Sequence, residues 1–565
     1  MRYASLVLFS DAVFDSVHDE PFSGGVAICG ERIEYVGTKE AVAKYIGPCT
    51  EVRDFDDQLI MPGFCEGHMH VEGAANTFCG LKVQGLDTAA SEDECIQLVI
   101  DFAKQHPNLK RITGMGWSLP NWGNDAPVPS KYRLDELFPD TPVYLQASDA
   151  HTCWLNTAAI RECKLEEYLA AHPDFPALWS PRDPDGTLHG FLAEGAATYP
   201  FFFSMKNPPE VYAEYVRGLM KICRGYGITG LSEVSMTKAE DLAAFYAPVK
   251  GMENVGTLTA RMHIFPGVGP ESMDTMEAVN NIDPYKDLYN SDMVRIAGLK
   301  TMVDGIPQNF TAAMLEPYTA DPTQMGEPRV LSEKLGKWVS AVNAKGYSVR
   351  NHCIGDRAVR IALDACEMSW RDGNVSENIR NSVEHLETVD DADVARFGEF
   401  NVVASFQPAH CVMAKGYGLK HLGLERFKRE YRWRDVLSGG AHYAIGTDAP
   451  VVSINPFETV YFAVTRRDLD GTLYNSYNVD QKLTLAEALK GYTYGSNYAD
   501  GFEEKAGTLE KGKYADIVVW DKTPLRSTLT RSGIARLRAP FSTVASYTRR
   551  EYAHSVRILH VKSRE

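Results

Sequence analysis

No Cys-x-x-Cys pair occurs in the 565 residues, and the eleven cysteines are scattered and odd in number. A closed disulfide framework is therefore not expected, and reduced thiols in a cytosol are the simplest reading. Long apolar runs are also missing: none approaches the ~20 residues that span a bilayer. The opening MRYASLVLFSDAVFDS stops being apolar at Asp11, too short for a secretory core with a cleavage site. The expectation is a cytoplasmic chain with no anchor. Basic charge is in short supply, with 58 Lys and Arg against 75 Asp and Glu and a net charge of −17. Nucleic acid and anionic membranes both need a basic face, so neither is expected as a partner. A glycine-rich phosphate loop is absent too. The run Gly114-Met115-Gly116-Trp117 lacks the G-x-G-x-x-G order and a following acid at the right distance.

What is present is ordinary globular material, 44% hydrophobic and 24% charged, in a chain too long for one small core. The first 60 residues read as short strands (SLVLF, GGVAICG, RIEYVG), and the last 60 share the habit (ADIVVWD, TVASYT, VRILHV). Residues 1–60 and 505–565 are expected to form one small β domain built from both ends. Between them, 61–504 alternates helix and strand. In VYAEYVRGLMKICRGYG, residues Tyr212, Tyr215, Val216, Leu219, Met220 and Cys223 follow the i, i+3, i+4 rule, and ITGLSEV then reads as a strand. A second helix is expected from Ser332, read as its N-cap, followed by YSVRNH. DRAVRIALDACEMSW and NSVEHL, DDADVARFGEF and NVVASFQPAH, YRWRDVLSGG and HYAIGTD repeat the unit. Repeated αβ units imply parallel strands with crossover helices, an α/β fold. Segments 72–130 and 160–210 fit the pattern poorly and are expected as loops or a lid.

Within GFCEGHMHVEG, His68 and His70 stand one residue apart after the apolar Leu59-Ile60-Met61-Pro62. Side chains at i and i+2 of a strand point to one side, so both imidazoles can aim at one point, where neutral nitrogens suit Zn²⁺ and similar ions. Alone the pair is weak evidence. The later strands strengthen it: RIAGLK ends at Lys300, YSVRNH at His352, NSVEH at His385 and HYAIGTD at Asp448. In a (β/α)8 barrel the carboxyl ends of all strands share one face, so residues hundreds of positions apart can meet.

These segments, with MPGFCEGHMH, SDAHTCWLNTAAI, DGTLHGFLAEGA, LKTMVDG, NHCIGDRAV, SVEHLE, SFQPAH, IGTDAPV, LTLAEALKGYT and GTLEKGKYADIVVWD, resemble the amidohydrolase superfamily, and within it amidohydrolase family 3, the YtcJ-like branch. The resemblance runs through most of the chain. It implies a distorted (β/α)8 TIM barrel with a small β-sandwich made from the two ends. It implies that His68 and His70 hold the more buried of one or two divalent ions, zinc being the expected metal. Lys300 falls where many relatives carry a lysine carboxylated on its amine that bridges two metals, and His352 and His385 fall where the second is held. Asp448 would touch metal and act as the base, taking the proton from the attacking water and passing it to the leaving amine. The reaction implied is hydrolysis of an amide or related C–N bond of a small molecule, with the protein acting as a metal-dependent amidohydrolase.

Alternatives stay open at this point. Glu194, in FLAEGA, competes with Lys300 as a ligand, and Lys300 could instead pair with Asp304. Glu233 stands near where relatives often carry His, a departure that leaves it a structural reading. Asp149 and His151 match the family's Asp-x-His and would border the pocket, Trp117 would line it, and His410 would contact substrate or intermediate. Cys65, Cys353 and Cys411, beside the ligand positions, read as small buried residues. The same site could cleave a carbamate, ester or lactone, or the barrel could be a non-catalytic binding or regulatory protein. The acidic balance is compatible with a homodimer.

Overall fold

The computed structural model describes residues 2–520, apart from 124–126, 148–151, 174, 206, 239–241 and 414–417, together with 544–547. The chain divides into two compact units, Met1–Ala75 with Val216–Glu565, and Asn76–Tyr215.

The first unit holds eight parallel strands in sequence order, here β1 (Phe64–Met69), β2 (Ile228–Lys238), β3 (Arg261–Val268), β4 (Gly298–Met302), β5 (Ser348–Cys353), β6 (Ser382–His385), β7 (Val403–Phe406) and β8 (Tyr443–Ile445). Every residue of β1, β5, β6 and β7 is buried, as expected of strands covered on both faces. The ring is brought round at its mouth by a parallel bridge between Met69 and Ala449. There the Asp448 N–H donates to the His68 carbonyl at 2.7 Å and the His70 N–H to the Ala449 carbonyl at 2.8 Å. Gly67 is needed at this seam, because a Cβ there would lie 2.6 Å from the Ile445 carbonyl oxygen. Buried Glu66 ties the two edges, accepting from the Thr447 N–H at 2.6 Å and from the Tyr492 hydroxyl. This is a nearly closed TIM barrel, and its seam is what carries Asp448 beside the two histidines of β1.

The helix over Pro209–Gly225 buries Tyr212, Val216, Leu219, Met220 and Cys223 on one stripe. The helix expected from Ser332 runs over Ser332–Ala344, but Leu331 is its N-cap, and the Ser332 hydroxyl bonds the Asp364 carboxylate at 3.2 Å instead.

The same unit contains a mixed sheet from the two ends of the chain: Leu6–Val13, Phe22–Cys29, Arg32–Gly37, Glu51–Asp54 and Leu59–Pro62 with Ile517–Trp520 and Val544–Tyr547. Its alternating residues build two cores. Leu6, Leu8, Val26, Ile28, Ile517 and Val519 face one way; Val7, Ala27 and Val42 belong to the other. Arg261, at the start of β3, makes a paired contact with Asp516 at 2.6 and 3.0 Å, anchoring this sheet to the barrel floor.

The second unit is no plain loop. It has its own sheet, Ile112–Trp117, Val143–Ala147, Thr152–Leu155 and Phe191–Ala193, with a core of Leu86, Val99, Leu134, Leu145, Trp117 and Trp154. Segments 72–130 and 160–210 thus contribute strands and helices to an ordered layer. Ile112–Trp117 is interrupted by Gly114 and Gly116, and Phe191–Ala193 is only three residues long, so neither shows a clear two-residue period.

Among the described residues no helix is long and apolar enough to cross a membrane. All eleven cysteines are free thiols.

Candidate active site

The barrel interior is polar where a packed core would be apolar. On β1 the two-residue period turns Glu66 and His68 inward. On β4 and β5 the register puts Lys300 beside Arg350, and between β5 and β6 it puts His352 beside Glu384. All six are buried. Buried polar groups on this scale are costly unless each finds a partner, and the partners set the geometry.

His68 is the best determined. Its Nδ1 lies 2.5 Å from Glu384 Oε2. Burial alone would raise the Glu384 carboxyl, but the Arg350 guanidinium and His68 outweigh it and hold it far below the usual carboxylate range. An ionised carboxylate only accepts, so Nδ1 carries the proton and Nε2 keeps a lone pair. That Nε2 is buried, has no hydrogen-bond partner among the described residues, and lies 3.4 Å from Asp448 Oδ1. Burial and nearby Lys300 push the His68 imidazole down to about 4, so it stays neutral. Behind it a buried chain continues: Arg350 donates to the Gly67 carbonyl at 2.8 Å and to Asp500 Oδ1 at 2.6 Å, and Asp500 also meets His263 Nδ1 at 2.7 Å.

Around the same point gather His70, with Nε2 3.0 Å from Asp448 Oδ1, and His410, with Nε2 3.3 Å from Asp448 Oδ2. The His385 ring centre lies 4.8 Å from that of His68 and 4.4 Å from that of His352, and it stacks on His410 at 5.3 Å. Two sets of groups have ligand atoms all within 4.8 Å of one another: His68, His70 and Asp448, and His385, His410 and Asp448. Among the described residues, several buried atoms here make no well-formed hydrogen bond, namely His68 Nε2, His385 Nδ1, His410 Nε2 and Asp448 Oδ1. A divalent cation fits this donor set, since it would satisfy several of those atoms at once. His385 and Asp448 sit at φ +78° and +66°. Non-glycine residues reach that left-handed region at a cost of order 1–3 kcal/mol, which is met with at functional sites.

Lys300 is buried and coupled electrostatically to Glu384 and Asp448, yet burial outweighs them and lowers its ammonium. It does not pair with Asp304 as an ion pair among the described residues. That carboxylate accepts instead from the N–H groups of Ala313, Ile354 and Gly355 at 2.8 to 3.1 Å, so it braces two loops. His352 is held 3.6 Å from Asp304 Oδ1. Burial would raise Asp448, but His68, His410 and His70 hold it well below the usual range, so it is a carboxylate. His410 stands between Asp448 and Glu387, the latter 3.3 Å from Nδ1. Burial opposes its charge, yet these two acids push it up to about 9. Glu233 accepts from the Val71 N–H and, at 3.2 Å, from the Tyr246 hydroxyl, bracing the chain just after His70. Burial pushes the thiols of Cys65, Cys353 and Cys411 up, leaving them inert.

A family model described as "Amidohydrolase family" matches residues 51–540. The chain belongs to that amidohydrolase family. It is 27% identical over 517 residues to the putative amidohydrolase YtcJ of Bacillus subtilis, covering 88% of this chain and 92% of that one. It is 24% identical over 517 residues to the N-substituted formamide deformylase of Arthrobacter pascens, covering 88% and 90%. In fold it is similar to an uncharacterized metal-dependent hydrolase from Pyrococcus furiosus, with a TM-score of 0.75 at 23% identity, covering 93% of this chain and all of that one. The amidohydrolase family carries the coarse assignment of a metal-dependent hydrolase acting on small molecules.

Two expected site residues belong to the second unit. Trp117 is fully buried between Trp122 and Trp154, and its Nε1 donates to the Leu145 carbonyl at 2.9 Å. The ring is thereby part of the core of the second unit. Glu194 is exposed at the head of the helix Glu194–Met205, with φ +50°. Asp149 and His151 lie outside the described residues. Conversely, Glu384 and Arg350, which position His68, carry little signal in the sequence. The only signal was the Glu directly before His385 in SVEHLE.

Proposed function

We propose that this chain hydrolyses an amide or related C–N bond of a small molecule, with Asp448 as the base and a divalent metal, zinc by its donor chemistry, in the barrel mouth. The observation that carries the proposal is His68: Nδ1 is committed to Glu384 at 2.5 Å, while Nε2 is bare and faces Asp448 Oδ1 at 3.4 Å beside His70. His68, His70 and Asp448 would hold one ion; His352, His385 and Lys300 would hold a second. Once bound, the metal supplies Lewis acidity, polarising a carbonyl and acidifying water. Lys300 serves this reading because burial disfavours its ammonium; carbon dioxide would add to the amine form, releasing a proton and leaving a carbamate anion suited to a metal. Glu194 stays the competing ligand.

Asp448 is ionised and can take a proton from water, then return it to the departing nitrogen. His410 keeps its proton between two carboxylates, so it is suited to donate toward the carbonyl oxygen as negative charge builds there. Asp149 and His151 are assigned to the rim of the pocket. The deformylase relative acts, by its name, on N-substituted formamides, which makes N-substituted amides the first substrates to try. A cytoplasmic location and a homodimer complete the proposal.

The test is metal content per chain after purification, followed by Asp448→Asn on a panel of N-substituted amides, carbamates, esters and lactones. The expected result is a loss of about 10²–10⁴-fold in kcat on an amide. Unaltered activity in the variant would remove Asp448 as the base. Metal content that does not fall in Lys300→Ala would remove the bridging role.

A further inference from the structure

The 76–215 unit contains a cavity of its own. Its sheet has two faces. Leu145, Ala147, Trp117 and Trp154 pack into the core on one face. The other carries Thr113, Met115, Tyr144 and Gln146, because alternate residues of a strand share a side. The register sets Met115 beside Gln146 and Gln146 beside Cys153. A parallel bridge from Val83 to Gly114 adds one more strand to the row, with Lys82 next to it. Between this face and the helices carrying Phe201 and Tyr215 lies a cavity of about 370 Å³, within the range of small-molecule sites.

Two groups in its wall are buried or half-buried with no partner among the described residues. Gln146 is 3% exposed and its Oε1 makes no hydrogen bond among the described residues. A buried amide oxygen without a donor is costly, and native proteins rarely keep one for nothing. Lys82 is half-buried, and among the described residues no carboxylate pairs with it. Burial lowers its ammonium and nothing nearby raises it. The neighbouring cation differs: Arg111 makes a two-pronged contact with Glu162 at 2.8 and 2.9 Å and bonds the Ser204 carbonyl at 3.1 Å. Arg111 is satisfied from within and Lys110 is exposed, which leaves Lys82 as the half-buried cation and Gln146 Oε1 as the buried acceptor. Two strand spacings separate them, roughly 10 Å. Leu109, Met115, Tyr144 and Phe201 line the stretch between.

We propose that this cavity binds a small aromatic monocarboxylate whose far end carries an O–H or N–H, the carboxylate meeting Lys82 and the donor meeting Gln146. The site stands on the second unit alone and does not depend on the reading of the barrel. It serves as a second ligand site of the protein.

The probe is 4-hydroxyphenylacetate, titrated calorimetrically into the full-length protein. Saturable binding is expected. Lys82→Met should weaken it about tenfold or more, since a charge-assisted contact is lost. In wild type, 4-hydroxyphenylacetamide should bind as weakly as the acid binds that variant. Gln146→Leu should weaken 4-hydroxyphenylacetate but leave phenylacetate within about twofold, because only the former has a donor to lose. Gln146→Leu should also raise the melting temperature of the free protein, as an unsatisfied amide gives way to an apolar group of similar size. His68→Ala should leave the binding unchanged, which separates this cavity from the barrel. Should Lys82→Met fold poorly, Lys82→Gln serves the same purpose. The proposal is overturned by an absence of saturable heat, by affinities that survive both cavity substitutions, or by binding that disappears with His68→Ala.

Discussion

Replacing Glu384 by Gln is the most informative single change in the barrel. The carboxylate touches His68 Nδ1 at 2.5 Å and faces Arg350 at 3.5 Å, with all three side chains fully buried. Gln keeps the shape and one acceptor but removes the charge. A hydrogen bond to a charged group is worth about 1.5–3 kcal/mol net, and a neutral acceptor is about half as strong. The loss at His68 is therefore about 1–2 kcal/mol, some fivefold to thirtyfold in an equilibrium constant. That overlaps the tenfold to hundredfold effect typical when the partner of a metal-bound histidine is changed. The fold should survive, because Arg350 retains Asp500 at 2.6 Å and the Gly67 carbonyl at 2.8 Å. The assay is metal affinity by chelator competition, with thermal unfolding of the metal-free protein as control. An affinity within about twofold of wild type would refute the claim that Glu384 aims His68 at a metal. So would a loss of stability with no loss of affinity.

Other outcomes follow from the same coordinates. Glu487 caps the helix Leu485–Lys490 and pairs with both Arg434 amino groups at 2.5 and 2.6 Å, chiefly through which its carboxyl is lowered to about 2. A lowered folded-state value stabilises above the unfolded value near 4.5 and fades as pH falls toward 2. Glu487→Gln should thus cost about 1–2 kcal/mol at pH 7 after allowance for partial exposure, and the gap in melting curves should close below pH 4.5; a gap independent of pH would contradict it. Trp117→Ala should destabilise the second unit by about 3–5 kcal/mol in denaturant unfolding and leave metal content unchanged. A Trp117→Phe variant that folds normally but loses activity would restore the residue to the substrate site.

Much of the barrel is legible because its chemistry obeys simple periods. His68 and His70 share a side by the two-residue rule, and strand ends meet at one face of a barrel, so His385 and Asp448 can be placed from hundreds of residues away. Glu384 escapes for the reason those succeed. The rule sends Glu384 and His385 to opposite sides, but the left-handed backbone at His385, φ +78°, lets neighbours converge on His68. No residue type announces that turn, since His there is strained. Lys300 can be placed on its strand, but its state depends on burial and on neighbours from β5, β6 and beyond β8. Trp117 is hard to place because its strand holds Gly114 and Gly116, which weaken the strand pattern. Their reason is packing: a Cβ at Gly114 would stand 2.6 Å from Leu86.

The central claim is a cation held among those histidines. The direct measurement is anomalous diffraction from crystals of the protein as purified, collected above and below the zinc edge. The account predicts a peak about 2.0–2.2 Å from His68 Nε2 and from an Asp448 carboxylate oxygen, lost in crystals of His68→Ala. A well-ordered barrel mouth with no such peak, or a peak coordinated by none of His68, His70 and Asp448, would contradict it.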